Sequence, residues 1–275
     1  MARRSRRRQP TVSLTRIRGR GTIETVRAFL GGLGWMTRIP VGRSKRDFEA
    51  FSSNGFVFPV VGGVVGGVMS VAVLGLVYPD LPPEVGGFLY LLALFGLQGI
   101  NHSDGLADFA DGLSAHGSES ERREAMRDLD TGIGGSLAVS VYAVGLYAVS
   151  SSVSGLGLPA AVSAVFVSEV TAKTAVSLQI CLATASHEGH GSRHTESTPP
   201  WHAAVSVVLA AVLVAAVPSE TVGVTSLLAG LGAGVSVTWL SGRAFGGVSG
   251  DVFGATNEVV RLTSLLAGVL VSTVL

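Results

Sequence analysis

The stretch Phe56-Val-Phe-Pro-Val-Val-Gly-Gly-Val-Val-Gly-Gly-Val-Met-Ser-Val-Ala-Val-Leu-Gly-Leu-Val-Tyr78 carries no charged residue. An apolar run of about 20 residues has the length of a helix that crosses a bilayer. Its paired glycines, Gly62-Gly63 and Gly66-Gly67, suit close helix contact where no hydrophobic force drives helices together. Six further runs follow, at about 84–101, 133–153, 158–184, 201–217, 221–240 and 252–275. The expected fold class is therefore all-α: a polytopic integral membrane helix bundle of about seven transmembrane helices, range six to eight. Composition agrees. The 275 residues are 47% hydrophobic and only 14% charged, with 37 glycines and a mean hydropathy of +0.50, which is not a soluble composition. The first run begins past residue 50 without a small-residue cleavage pattern, so it is no signal peptide. Cys181 stands alone, which excludes a disulfide framework and a thiolate metal site.

The net charge of +1 conceals an asymmetry, because the first 20 residues hold eight Arg and no acid. Residues 1–22 are expected to be a disordered cytoplasmic tail, a topology anchor with no specific partner rather than a segment bound to anionic lipid or nucleic acid, and 23–275 a single membrane domain. Residues 24–38 are amphipathic and short, and predict an interfacial helix rather than a span. Between the runs, three connections are tiny (79–83, 154–157 and 218–220) and lack Lys and Arg. The longer connections carry Arg38, Arg43, Lys45, Arg46, Arg122, Arg123, Arg127, Arg193 and Arg243. The positive-inside rule then places the N-terminus and every long connection in the cytoplasm, and the C-terminus across the cell membrane.

Every polar cluster falls on those long connections. In His102-Ser-Asp104-Gly-Leu-Ala-Asp108-Phe-Ala-Asp111-Gly112 three carboxylates stand at i, i+4 and i+7, on one helical stripe. Three unpaired carboxylates ending an apolar run repel one another and are costly to desolvate, and a hard cation such as Mg²⁺ removes both penalties. Glu121 to Gly135 adds Arg122, Arg123, Arg127 and Asp128, where the arginines serve topology or grip phosphate. At Gly246-Gly-Val-Ser-Gly250-Asp251 a glycine-rich turn opens the last helix, whose free N–H groups attract anions; Asp251 can instead be a plain N-cap. Glu258, two turns further in, needs a polar cavity or a partner, and Arg261 stands three residues on. Glu169 and Lys173, mid-span at i, i+4, read as a structural pair. The four His of 187–202 match no strict zinc spacing, and that segment reads as a flexible loop. Residues alone thus point to a membrane transferase for a diphosphate-activated substrate.

The stretch from His102 to Gly112 resembles the signature of the cobalamin synthase (adenosylcobinamide-GDP ribazoletransferase) family. So do Thr37-Arg38-Ile39-Pro40-Val41 with Phe56 to Gly62, Met126-Arg127-Asp128 with Gly132, and Gly246 to Glu258, in that order. The chain departs from the family pattern at Asp130, where an Arg is common, and at Ser168-Glu169, where an Arg often stands beside the serine. The resemblance implies a Mg²⁺-dependent enzyme joining adenosylcobinamide-GDP to α-ribazole, or α-ribazole 5′-phosphate, with release of GMP. It implies in-line attack by the ribazole 3′-hydroxyl on the phosphorus attached to cobinamide. Carried onto this chain, Asp104, Asp108 and Asp111 hold metal. Asp128, Asp251 and His102 are the expected catalytic groups, and Arg127, Arg38, Gly250 and Glu258 the expected substrate and phosphate contacts.

Two competing classes fit less well. CDP-alcohol phosphotransferases also use spaced aspartates, but Asp108 stands where their pattern has Arg. A transporter should place its acids at the bilayer midplane, where only Glu169 and Lys173 lie. The expected partners are the two small-molecule substrates and the lipid bilayer; a homo-oligomer is left open, and nucleic acid is not expected.

Overall fold

A computed structural model describes residues 14–77, 81–128 and 130–274. Twelve helices account for the secondary structure of these residues, with one isolated β-bridge. The long apolar helices are α3 (Val57–Val77), α4 (Pro83–Gln98), α7 (Ile133–Val153), α8 (Leu158–Leu182), α10 (His202–Ala215), α11 (Glu220–Phe245) and α12 (Gly250–Ser272). Each coincides with one of the seven apolar runs to within a few residues. Polar helices fill the long connections: α2 (Lys45–Ser52), α5 (Asn101–Ser114), α6 (Glu119–Ala125) and α9 (His190–Ser197). Helix α1 (Leu14–Met36) contains most of the stretch expected to be interfacial; the expected tail lies outside the described residues as far as residue 13.

Four helices, α3, α7, α8 and α11, are long and apolar enough to cross a membrane. Helices α4 and α10 are short, and each meets a polar helix at a sharp bend, 96° between α4 and α5 and 95° between α9 and α10. Counting each bent pair as one span gives up to six, the lower end of the expected range. Helix α12 falls outside that count although it is 23 residues long, because Asn257, Glu258 and Arg261 interrupt its apolar sequence.

The molecule is inverted relative to a soluble protein. Val71, Leu137, Val144, Val212, Leu228 and Val235 are exposed, while Glu169, Lys173 and Arg261 are buried. Apolar surface outward and satisfied polar groups inward is what a bilayer requires. Helix α8 is the central post, packed by α3, α10, α11 and α12. Gly62 and Gly66 form the α3 face against it. A Cβ at Gly62 would stand 2.7 Å from the Glu169 carbonyl oxygen, and one at Gly66 2.7 Å from that of Phe166. Gly67 faces open space, so the close approach uses one glycine of that pair, at i, i+4 spacing. The termini of α3, α4, α7, α8, α10, α11 and α12 that adjoin the long connections gather at one end of the bundle. There α5, α6 and α9 pack on α12, α7, α11 and α8.

Candidate active site

The site begins at Gly99, whose φ of +77° turns the chain through about a right angle between α4 and α5. The turn sends α5, too polar to lie among lipid, across the end of the bundle. Its aspartates reach the glycine-rich turn before α12 through a backbone crossing. A Cβ on Gly105 would lie 2.8 Å from the Asp251 carbonyl oxygen and 3.2 Å from Gly254 Cα. A Cβ on Gly254 would lie 3.0 Å from the His102 carbonyl oxygen. Only glycine at both positions lets the two helices touch so closely. The crossing sets Asp251 beside the aspartate stripe, about 140 residues away in sequence.

The result is a set of neighbouring negative charges. Burial first, then the charges of Asp251, Asp104 and Asp111, push the Asp108 carboxyl up to about 6. No group of three His, Cys, Asp or Glu side chains among the described residues is gathered as a metal cage. Mg²⁺ needs none, because it is commonly held by one or two carboxylates plus substrate phosphates and water. The donor set fits such an ion: it is all-oxygen, with Asp108 and Asp251 half-buried and Asp104 exposed, and among the described residues no Lys, Arg or His forms an ion pair with Asp104, Asp108 or Asp251.

Asp111 does something the sequence did not suggest. Its two oxygens accept the amides of Gly132 and Gly135, each at 2.8 Å, at the start of α7. A side chain of α5 thereby caps α7, whose own N-cap residue, Gly132, has no side chain to do so. The glycines at 132 and 135 make room, since a Cβ at either would stand 2.5 Å from an Asp111 oxygen. Asp251 is not the cap of α12; Ser249 is, accepting the Val252 amide, and its hydroxyl lies 3.3 Å from Asp251 Oδ2. The acid is left to face the cluster.

Of the three arginines near α6, two are committed to backbone. Arg122 donates to the Leu113 carbonyl at 3.1 Å, and Arg123 to the Phe245 carbonyl at 2.7 Å, tying α6 to the ends of α5 and α11. Arg127 remains exposed. Asp128 is exposed and accepts the Asp130 amide at 3.2 Å; it is not among the charges acting on Asp108. Arg38 lies over Gly99 and, with Arg43, lines a cavity of about 310 Å³ that reaches Asn101.

The segment 187–202, expected as a loop, is largely ordered into α9 and the start of α10. A parallel bridge joins Ala185 to Val248, with the Ser186 amide donating to the Val248 carbonyl and the Val248 amide to the Thr184 carbonyl, each at 2.8 Å. His187 thereby sits where Arg127, Asp251 and Arg123 all act on it. Burial, then Arg127, holds its imidazole below the usual value. Nothing in the spacing of these His residues could have placed His187 there; the pairing comes from the bridge.

Behind the cluster lies a buried ionic core. Arg261 donates to Glu169 at 2.6 Å, to Gln98 at 2.8 Å and to Tyr142 at 3.1 Å, and also pairs with Glu258. Lys173 donates to Asn257 at 2.6 Å and to Gln98 at 2.8 Å, and lies 3.5 Å from Glu169. Tyr142 donates to Glu258. Two acids and two bases balance, and each is hydrogen-bonded. Glu258, an expected substrate contact, is thus buried and engaged by Arg261, with His102 Nδ1 3.9 Å from its carboxylate.

The sequence profile of the cobalamin-5-phosphate synthase family matches residues 28–269. An adenosylcobinamide-GDP ribazoletransferase of Halorubrum lacusprofundi is 38% identical over 252 residues, covering 88% of this chain and 96% of that protein. Relatives of the same name from Halobacterium salinarum (42% identical; 70% of this chain, 97% of that protein) and Archaeoglobus fulgidus (33%; 88% and 96%) are similar too. No solved structure matches the chain.

Proposed function

The chain belongs to the cobalamin-5-phosphate synthase family, and on that premise we propose that it joins adenosylcobinamide-GDP to α-ribazole, or to its 5′-phosphate, with release of GMP. The observation that carries this reading is the Gly105–Gly254 crossing, which gathers Asp104, Asp108, Asp111 and Asp251 at the polar end of the bundle. Asp104 and Asp108 would hold Mg²⁺, with Asp251 adjoining, while Asp111 fixes the cluster to α7. When bound, the cation neutralises charge on the diphosphate oxygens.

The chain's own residues do the rest. Arg127, and Arg38 from the neighbouring cavity, bind phosphate oxygens. Asp251 takes the proton of the ribazole 3′-hydroxyl as its oxygen bonds to the phosphorus attached to cobinamide. The bond from that phosphorus to the GMP oxygen breaks, and GMP leaves. Asp128, exposed on the connection after α6, is the alternative base. His102 and Glu258 stand behind the cluster, where Glu258 is engaged by Arg261 and Tyr142. The site faces the cytoplasm of the cell membrane, following the basic residues of the long connections.

The test is turnover. Purified protein in lipid, given adenosylcobinamide-GDP, α-ribazole and Mg²⁺, should yield GMP and cobalamin in equal amounts, and a chelator should stop the reaction. Absence of both products would overturn the proposal. Asp104→Asn and Asp108→Asn should each abolish turnover in a protein that still inserts. Labelled cysteines at Ser118 and Ser219, in a Cys181→Ser background, should report opposite faces of the membrane.

A further inference from the structure

One cavity at the polar end is lined by none of the cluster's aspartates and by no arginine. Helix α9 folds over the end of α1 and over α2, so that Trp35, Phe48, Phe51, Phe58, His190 and His194 line a space of about 280 Å³. The rings are closely set. Centroids lie 4.5 Å apart for Trp35 and Phe48 and 4.8 Å for Phe51 and Phe58; His194 meets Phe51 edge-on at 5.1 Å. The far wall is His102, Gly250 and Gly254. Gly254 is the residue that crosses Gly105, so this cavity adjoins the crossing that gathers the aspartate cluster.

His194 is 8% exposed, and its Nδ1 has no hydrogen-bond partner among the described residues. A buried polar atom in that state is costly, and a ligand that bonds to it removes the cost. Burial and the nearby His190 lower its pKa to about 4, so at neutral pH the ring is uncharged, with one donor and one acceptor nitrogen. Clefts for drug-sized ligands run from about 300 to 1,000 Å³; at about 280 Å³ this space lies just below that range, too small for a corrin and of a size for a small bicyclic base. Guanine carries donors and acceptors around most of its rim, and an aromatic cage would leave several unmet. A benzimidazole attached to ribose offers flat apolar faces and one free ring nitrogen.

We propose that this cavity holds the benzimidazole of α-ribazole, with His194 hydrogen-bonded to the free ring nitrogen and the ribose projecting past His102 toward Asp251. The assignment rests on the reaction proposed above, but its test does not. With Trp201→Phe and Trp239→Phe, Trp35 becomes the sole tryptophan and reports binding of benzimidazole alone by fluorescence. Saturable quenching is expected, weakened about tenfold by His194→Phe, which keeps an aromatic wall and removes the nitrogens; tenfold is the upper range of a neutral hydrogen bond. In turnover, His194→Phe and the milder Phe48→Leu should raise KM for α-ribazole and leave KM for adenosylcobinamide-GDP unchanged. Failure of the single-tryptophan protein with His194 intact to quench with benzimidazole while it still turns over would overturn the assignment, as would a KM change confined to adenosylcobinamide-GDP. Benzimidazole binding that depends on His194 in a protein without transferase activity would support the cavity and refute the reaction.

Discussion

Replacing Gly105 by Ala tests whether the α5–α12 crossing makes the site. The added Cβ would stand 2.8 Å from the Asp251 carbonyl oxygen, 3.0 Å from its Cα and 3.2 Å from Gly254 Cα. All three neighbours are backbone, so no side chain can turn aside. Ordinary contact begins near 3.4 Å, so the helices must part by about 0.6 Å, taking the Asp108 and Asp251 carboxylates with them. Overpacking of this kind costs about 1–3 kcal/mol, against a folded-state stability of about 5–15 kcal/mol, and the protein should remain folded. Geometry at the reacting atoms is less forgiving, since a displacement of about 1 Å costs on the order of 100-fold in rate. The expected result is a fall in GMP release of roughly 10- to 100-fold, on the same principle, with a higher Mg²⁺ requirement and a modest drop in melting temperature. Gly254→Ala should do the same. The double variant should lose less than the two losses combined, because one parting relieves both contacts. Gly67→Ala, in open space on α3, is the control and should leave turnover unchanged. Turnover of Gly105→Ala within about twofold of the parent, at the parent's Mg²⁺ requirement, would refute the reasoning.

Two further outcomes are expected. Asp108 has its carboxyl raised from 3.8 to about 6 in the folded chain, so the native state holds that proton more tightly than the unfolded state. Its contribution to stability is therefore present below about pH 4 and lost as pH rises through about 6. In chelator, Asp108→Asn should melt above the parent at about pH 7.5 and with it at about pH 4; thermal unfolding in detergent decides, and a lower melting temperature at the higher pH would count against the cluster. Arg261→Met strands Glu169 and Glu258 beside one remaining cation, and breaking a buried pair on one side costs about 3–5 kcal/mol. Adding Glu258→Gln should return part of that loss in the same assay; no recovery would mean that the charges are not coupled.

The membrane helices were legible because an unbroken apolar run of about 20 residues finds few homes other than a bilayer. The crossing count was less so. Residues 84–101 and 201–217 read as spans from their apolar content, yet the 96° bend at Gly99 and the 95° bend before α10 leave the helices there short. Within the site, the stripe of Asp104, Asp108 and Asp111 was visible from helical periodicity, but the division of labour within it was not. Whether Asp111 faces a cation or caps a neighbouring helix depends on where α7 begins in space, which no spacing along α5 encodes. The same holds for Arg122 and Arg123, which meet carbonyls at the ends of other helices, and for His187, placed by a bridge to Val248. Ser249 could have been found, since a serine just ahead of an acid at a helix start is a common cap.

The ionic core also bears on how the chain enters a membrane. A charged side chain at the centre of an inserting helix costs about 2.5–3.5 kcal/mol on translocon scales. Here Glu169 and Lys173 stand at i, i+4 on α8, and Glu258 and Arg261 at i, i+3 on α12. Each helix therefore carries its own counter-ion and is electrically neutral over that stretch before any other helix is present. Once α12 arrives, Arg261 reaches across to Glu169 at 2.6 Å, and two self-neutralised segments exchange partners to become one. The charges that lock the finished bundle are thus portable during biogenesis, and the later-made helix closes a circuit that the earlier one crossed the bilayer without.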